Sequence, residues 1–249
     1  MKSAWAVFKR ELAASFYTPL AYVILVVFLL WNGFLFSFFM QTFATNPAAA
    51  TGSRSPLNML FGGSILYFLP ILLFAPALTM RAFAEERRAG TFETLMTAPV
   101  RAVDVVLGKY FAVIVVYATM WAPTILYALV IKRYGPVDWG AFAAGYVGTI
   151  LMGSALLALG ILASAIARGQ LTAFILGFFF TSGLFVIGLW KYNVTEDRDL
   201  TFFSYINLWE QIEHFALGII DSRHVVYYLS ITVLALFLTV RAVEVQREG

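Results

Sequence analysis

A short charged segment, Arg81–Lys109, lies between two long apolar runs, and this arrangement constrains the fold more than any other feature of the chain. The run before it, Ser55–Met80, and the run after it, Tyr110–Ile131, contain no Asp, Glu, Lys or Arg. A helix of about 20 apolar residues crosses the hydrocarbon core of a bilayer, and each run is long enough to do so. The charged segment is therefore predicted to be a polar element held at one membrane surface.

The composition indicates a polytopic membrane protein. Hydrophobic residues make up 61% of the chain and charged residues 12%, whereas soluble domains are roughly half apolar and a quarter charged. Because the long charge-free runs are predicted to be transmembrane helices, an all-α fold is expected. The 249 residues are predicted to form a single transmembrane domain, 1–249. The absence of cysteine excludes a disulfide framework, and a net charge of +3 is too small to indicate a nucleic-acid partner.

Charge-free stretches predict six transmembrane helices. An even number places both termini on one side, and eleven of the 17 Lys and Arg residues fall on that side. By the positive-inside rule, the termini and the charged segment are predicted to be cytoplasmic. The predicted spans are Pro19–Met40, Gly62–Met80, Leu107–Ile131, Gly140–Ile166, Leu171–Trp190 and Val225–Val240.

Two further segments have amphipathic patterns. Ahead of the first span, Trp5, Phe8, Leu12 and Phe16 recur at helical spacing, which predicts an amphipathic helix in the membrane interface. Between spans five and six, the second part of Lys191–His224 mixes aromatic, aliphatic and acidic residues. It is predicted to form a short helix or re-entrant pair that caps the extracytoplasmic end of the bundle.

The spans contain features of helix packing but no ionisable residue at mid-depth. This absence argues against proton relays, intramembrane acid chemistry and an embedded metalloprotease. Pro70, Pro76 and Pro123 are expected to bend their helices. Small residues recur every fourth position, a pattern that serves either packing within the chain or a subunit interface. The positions concerned are Gly145, Thr149 and Gly153 in span four, and Gly177 and Thr181 in span five.

Within the charged segment, AFAEERRAGTFETLM is predicted to be helical, with Gly90 as an interruption and Pro99 as a stop. Two interpretations remain open from the residues alone. The segment is either an amphipathic loop stabilised by i,i+4 pairs, or a docking helix whose charges match a groove on a soluble partner.

The same segment resembles the signature of ABC-2 type transporter permeases. The resemblance extends to FKRELAASFYTPLAYVILVVFLLWNGFLF near the N-terminus and to HFALGIIDSRHVVYYLS near the last span. Among relatives, the chain looks most similar to permeases associated with gliding motility and nitrous-oxide-reductase maturation. The matching positions are Thr79, Arg81, Glu85, Glu86, Gly90, Thr91, Glu93, Leu95, Pro99, Gly108 and Lys109.

The resemblance implies a bacterial plasma-membrane complex of two permease subunits and two ATP-binding subunits. It also allows an additional accessory subunit on the extracytoplasmic side. The charged segment would be the coupling helix, and the N-terminal helix would be the connecting helix beside it. The chain lacks a P-loop motif, so it is expected to hold no cofactor or metal and to catalyse nothing itself, with ATP and Mg on the partner. The implied ATPase contacts are Glu85, Glu86, Arg87, Gly90, Thr91, Glu93 and Leu95, with Arg168 as a second contact.

Two functions from different classes follow. The first is ATP-driven export or flipping of an amphiphilic, lipid-linked or polymeric cargo. The second is a membrane scaffold that uses ATP hydrolysis to do mechanical work on an extracytoplasmic protein without moving a solute. Whether the ATPase rate of the reconstituted complex responds to a cargo, or only to a protein partner, distinguishes them.

Overall fold

The computed structural model describes residues 2–45, 59–62, 64–90, 100–133, 136–193 and 203–248, and within these ranges the chain is helical with no strand. Five helical segments are long and apolar enough to cross a membrane. They correspond to five of the six predicted spans. Their bounds are Pro19–Thr45, Ala102–Lys132, Trp139–Ile166, Gln170–Tyr192 and Ser222–Gln246.

The helices are numbered in chain order. Short 3-10 turns precede α3, separate α5 from α6, and follow α8. The bounds are α1 Lys2–Tyr17, α2 Pro19–Thr45, α3 Phe68–Thr79, α4 Ala84–Arg88, α5 Ala102–Trp121, α6 Ile125–Lys132, α7 Trp139–Ile166, α8 Gln170–Leu189, α9 Leu208–Ala216 and α10 Ser222–Glu248.

The second predicted span, Gly62–Met80, is shorter in the structure than the sequence indicates. Gly62 has a φ of +100°, and a 3-10 turn follows before α3 begins at Phe68. The apolar helical stretch is Ile65–Thr79, which is too short to be counted among the long spans. Pro70 lies in the first turn of α3, where proline is tolerated.

The other two prolines interrupt backbone hydrogen bonding as expected. Pro76 lies inside α3 and cannot bond the carbonyl of Leu72, which instead lies 3.5 Å from the Thr181 hydroxyl of α8. Gly177 gives α8 close access to this site, because a Cβ atom there would lie 3.2 Å from Cβ of Pro76. Pro123 coincides with the 3-10 turn that divides α5 from α6.

Helix α7 is the centre of the molecule. Inside the chain, 78% of its apolar stretch is buried, compared with 22% to 39% for the other long spans. Its glycines admit large side chains from neighbouring helices. A Cβ atom at Gly148 would lie 2.6 Å from the Phe215 ring, and one at Gly160 would overlap Oγ1 of Thr79.

The small residues predicted for packing or a subunit interface are all buried against helices of the same chain. A Cβ atom at Gly145 would lie 2.9 Å from the Phe61 ring, and one at Gly153 would overlap the Tyr117 ring. The Thr149 hydroxyl is 2.6 Å from the hydroxyl of Tyr67. The structure therefore accounts for Gly145, Thr149, Gly153, Gly177 and Thr181 by packing within the chain, and a subunit interface through them stays a prediction.

Helix α1 and the end of α10 lie at the same end of the helical bundle, here called the terminal end, because both contact α4 through Arg10 and Gln246. There the Ser164 hydroxyl of α7 donates to the carbonyl of Met80, which follows α3. At the opposite end, Phe61, which precedes α3, packs against Phe142 near the start of α7 with ring centroids 5.7 Å apart. The short helix α3 therefore runs back from the opposite end to the terminal end, antiparallel to α7.

Candidate functional site

The N-terminal helix α1 lies directly against the start of α5. Gly108 makes this approach possible, because a Cβ atom there would lie 2.9 Å from the carbonyl oxygen of Ala4 and 2.9 Å from Cβ of Val7. The hydroxyl of Ser3 also donates to Oδ2 of Asp104 at 2.6 Å. Gly108 is therefore the point at which α1 and α5 cross.

Lys109, which follows Gly108, is buried at the junction of three helices. Lys109 is 2% exposed, and its Nζ lies 3.1 Å from Oε1 of Glu11 in α1 and 2.9 Å from Oε1 of Glu86 in α4. The ammonium group also lies 5.1 Å from the centre of the Phe83 ring. A buried ammonium is tolerated only when anionic partners surround it. Lys109 therefore connects α1, α4 and α5.

Arg10 extends this network towards water. Its Nη2 lies 2.8 Å from Oε1 of Glu11 and 3.1 Å from Oε1 of Glu86. The hydrogen bond to Glu11, reinforced by the charges of Glu11 and Glu86, raises the pKa of Arg10 despite its partial burial. The two carboxylates are thus shared between one buried and one exposed cation.

Helix α7 holds the first turn of the charged segment through one hydroxyl. Ser164, which is fully buried, accepts hydrogen bonds from the backbone N–H groups of Phe83 at 3.0 Å and Ala84 at 3.2 Å. The same hydroxyl donates to the carbonyl of Met80. The N-terminal N–H groups of a helix have no partner inside the helix, so this side chain supplies one for α4.

Arg87 anchors the other side of α4 to the C-terminal end of α7. Its guanidinium donates to the carbonyls of Ile166 at 3.3 Å and Ala167 at 2.9 Å, and it also contacts the carbonyl of Ala165 and the side chain of Gln246 in α10. A cation at a helix C-terminus is favoured by the helix dipole. Burial lowers the pKa of Arg87 below its usual value.

The remaining face of α4 is open to water. Glu85, Arg88 and Gly90 are exposed, and Gly90 adopts a φ of +68° in open space, where a Cβ atom would have no neighbour within 4 Å. Arg168, also exposed, lies in the α7–α8 connection beside α4, because Ala84 packs with two alanines that flank this connection. We call the residues Glu85, Arg88, Gly90 and Arg168 the exposed face.

The structure divides the predicted ATPase contacts into two sets. Glu85, Gly90 and Arg168 belong to the exposed face, whereas the side chains of Glu86 and Arg87 contact other parts of the chain. Thr91, Glu93 and Leu95 lie outside the described residues.

No site role was predicted from the sequence for Arg10, Glu11 or Lys109, although Lys109 is one of the positions that match the permease signature. The sequence does contain a signal for this ion pair. Lys109 lies inside a predicted span, where a charge needs a partner, and Glu11 in the N-terminal helix is a carboxylate that can supply one.

The opposite end has polar contacts of its own. Asn207 caps α9 by accepting from the backbone N–H of Trp209 at 3.0 Å, and the rings of His214 and His224 are joined by a 3.1 Å hydrogen bond. In the part of the chain that the structure describes, no three His, Cys, Asp or Glu residues are grouped as metal ligands would be.

These features define a multi-pass helical membrane protein in which the charged helix α4 is fixed at one end of the bundle. Residues 57–209, more than half of the chain, match the family model for ABC-2 family transporter proteins. The chain belongs to this family. It is therefore a permease subunit of an ATP-binding cassette transporter, and it works with an ATPase subunit. No curated protein matches the sequence significantly.

Proposed function

We propose that the exposed face of α4 and the adjoining α7–α8 connection is the surface to which the ATPase subunit binds. The observation that carries this proposal is the two-sided character of α4. Glu85 and Arg88 face water, while Glu86 and Arg87 on the same short helix are bound to α1, α5, α7 and α10. A charged surface fixed in this way suits rigid docking of a soluble partner.

The same contacts support a mechanism of coupling. ATP binding closes the dimer of ATPase subunits and moves the segment that each subunit holds. Because Ser164 and Arg87 attach α4 to the buried helix α7, the displacement passes to the centre of the bundle as a rigid-body movement. ATP then shifts the balance between two arrangements of the permease halves.

The composition of the complex follows from the family resemblance. Two copies of this chain, or this chain and a related permease, associate with two ATPase subunits, which bind and hydrolyse MgATP. The chain crosses a bacterial inner membrane six times, counting the short helix α3, with both termini in the cytoplasm. In this arrangement α9 lies on the extracytoplasmic side, where an accessory subunit would bind.

The cargo we propose is amphiphilic, lipid-linked or polymeric, and it is exported or flipped. Spans without ionisable residues at mid-depth and rich in exposed aromatic side chains favour such a cargo over a small ion. Kinship with the gliding-motility and nitrous-oxide-reductase-maturation permeases is part of this proposal.

The docking surface is tested by reversing its charge. In Glu85→Arg, Glu93→Arg and Gly90→Val chains, we expect the amount of ATPase subunit that co-purifies with the tagged permease to fall about tenfold or more. A tenfold change corresponds to about 1.4 kcal/mol of binding free energy. Gly90→Val adds backbone strain, because φ at this position is positive.

The matched control is Arg133→Glu, a charge reversal at an exposed residue of the opposite end. This variant should retain wild-type co-purification and a wild-type ATPase rate. If all three test variants insert normally and also retain both properties, the docking assignment is wrong.

A further inference from the structure

The described residues line a half-open cavity of about 110 Å³ in the angle between α1 and α2, where the chain turns at Thr18. Helices α3 and α5 close the other sides. Its apolar wall includes Ile24 of α2 and follows α5 from Lys109 to Val116, a rise of about 10 Å. The cavity therefore begins at the charged terminal end and extends along the membrane-spanning helices.

The polar end of the cavity is lined by Glu11, Arg81, Glu85 and Lys109. Glu11 and Lys109 pair with each other, so they contribute little net charge. Arg81 and Glu85 form no ion pair with any residue that the structure describes. Among the described residues, the cavity thus presents one cation and one anion without an ion-pair partner.

Arg81 also has an unfilled hydrogen-bonding requirement. Its Nε atom is buried and finds no acceptor within the described ranges. A buried N–H group without an acceptor is unfavourable, and more so when the group is charged. An oxygen-rich anionic group in the cavity would satisfy it, and guanidinium groups match phosphate well.

We propose that this cavity binds one zwitterionic glycerophospholipid with an amine headgroup, taken from the membrane leaflet at the terminal end. The phosphate accepts hydrogen bonds from Arg81, the ammonium group faces Glu85, and the first part of an acyl chain lies along the wall between Ile24 and Val116. A purely anionic lipid is disfavoured because its headgroup meets the carboxylate of Glu85 without a compensating cation.

The surroundings favour a lipid over a free phosphate ester. Only 28% of the apolar stretch of α2 is buried inside the chain, so this helix borders the bilayer beside the cavity. The apolar wall is continuous with the membrane-spanning helices, and its apolar side chains have no hydrogen-bonding group for a soluble headgroup. Only an acyl chain matches this wall, and it reaches the wall directly from the bilayer without passing through water.

The test uses the full-length chain in vesicles of equimolar phosphatidylethanolamine and phosphatidylglycerol, followed by extraction into detergent and native mass spectrometry. The wild-type chain should retain one phosphatidylethanolamine. Arg81→Gln should lower its occupancy about tenfold. Glu85→Gln should shift the retained lipid towards phosphatidylglycerol. This substitution removes the carboxylate that faces the lipid ammonium group, but Arg81 remains to bind the phosphate.

Two further variants separate binding from folding and from general charge effects. Ala77→Phe fills the cavity from α3 without changing a charge, and this variant should also lose the lipid. If Arg81→Gln does not fold, Ala77→Phe still tests whether the lipid binds in the cavity. Arg168→Gln removes an exposed cation of the terminal end that does not line the cavity, and it should retain the lipid as the wild type does.

The proposal is overturned if the wild-type chain retains both lipids equally or neither. Wild-type occupancy in both Arg81→Gln and Ala77→Phe would overturn it as well. Soluble glycerophosphoethanolamine at millimolar concentration should not displace the lipid. Displacement would assign the cavity to a free phosphate ester instead of a membrane lipid.

Discussion

Each end of the bundle contains a lysine–glutamate pair, and the two pairs differ in their surroundings. At the terminal end, Lys109 is 2% exposed and is shared by two carboxylates from different helices. At the opposite end, Nζ of Lys191 lies 2.6 Å from Oε2 of Glu210, but the side chains are 27% and 29% exposed. The lysine of the first network is shielded from water and joins three helices, whereas water is available to replace either partner of the second pair. The comparison predicts that equivalent substitutions have unequal effects.

Lys109→Met should have the largest effect. It leaves the carboxylates of Glu11 and Glu86 without the buried ammonium group between α1, α4 and α5. Breaking a buried ion pair costs about 3–5 kcal/mol, and we expect the lower end because both carboxylates retain some contact with water. The measurements are thermal unfolding in detergent and protease cleavage of α1. Adding Glu86→Gln should recover part of the loss, and an unchanged melting temperature in the single variant would contradict the network.

Ser164→Ala should have an intermediate effect at the same end. The substitution removes the single acceptor that the backbone N–H groups of Phe83 and Ala84 share, at a total cost of about 2 kcal/mol. Hydrogen exchange at residues 83 and 84 should accelerate, and thermal stability should fall. Ser182→Ala is the matched control, because the Ser182 hydroxyl is buried without a partner in the described structure. Equal effects of the two substitutions would refute the role of Ser164.

Acidification should have the smallest effect, at the opposite end. Burial opposes ionisation of Glu210, but hydrogen bonds from Lys191 and Ser204 outweigh it and lower the pKa of Glu210 below its usual value of 4.5. The stabilisation is therefore present above about pH 4.5 and is lost as the pH falls through the lower folded-state value. The difference in melting temperature between wild type and Glu210→Gln should shrink below about pH 4.5. A difference that stays constant down to about pH 3 would show that the pair contributes nothing.

Much of the membrane fold follows from where charges are absent. Spans four and five were predicted as Gly140–Ile166 and Leu171–Trp190, close to the observed α7 and α8. The helix that contains the last predicted span, Val225–Val240, continues to Glu248 past Arg241 and Glu244, which pair on its surface. Charges mark the end of the hydrocarbon region, but they do not end a helix.

The candidate site was only partly predictable, because its geometry depends on contacts between distant residues. Lys109 marks a span boundary in the sequence, and nothing local indicates that its partner Glu11 lies 98 positions away. In the sequence, Glu86 and Arg87 are charged residues of the same run as Glu85, and nothing distinguishes their environments. Only the positions of Lys109 and the end of α7 determine that these two side chains turn inward while Glu85 remains exposed.

The shortness of α3 has a consequence for the surrounding bilayer. With its preceding turn, the helix spans about 22 Å, roughly 8 Å less than the hydrocarbon thickness of about 30 Å. Helix α9 packs against the start of α3, where the ring centroids of Phe68 and Trp209 are 6.3 Å apart and Gly62 admits the side chain of Ile212. In the six-span arrangement proposed above, this column of the protein would match the membrane only through the contact between α3 and α9. Hydrophobic mismatch therefore acts first on that contact, and lipid acyl-chain length becomes a variable that tunes the protein.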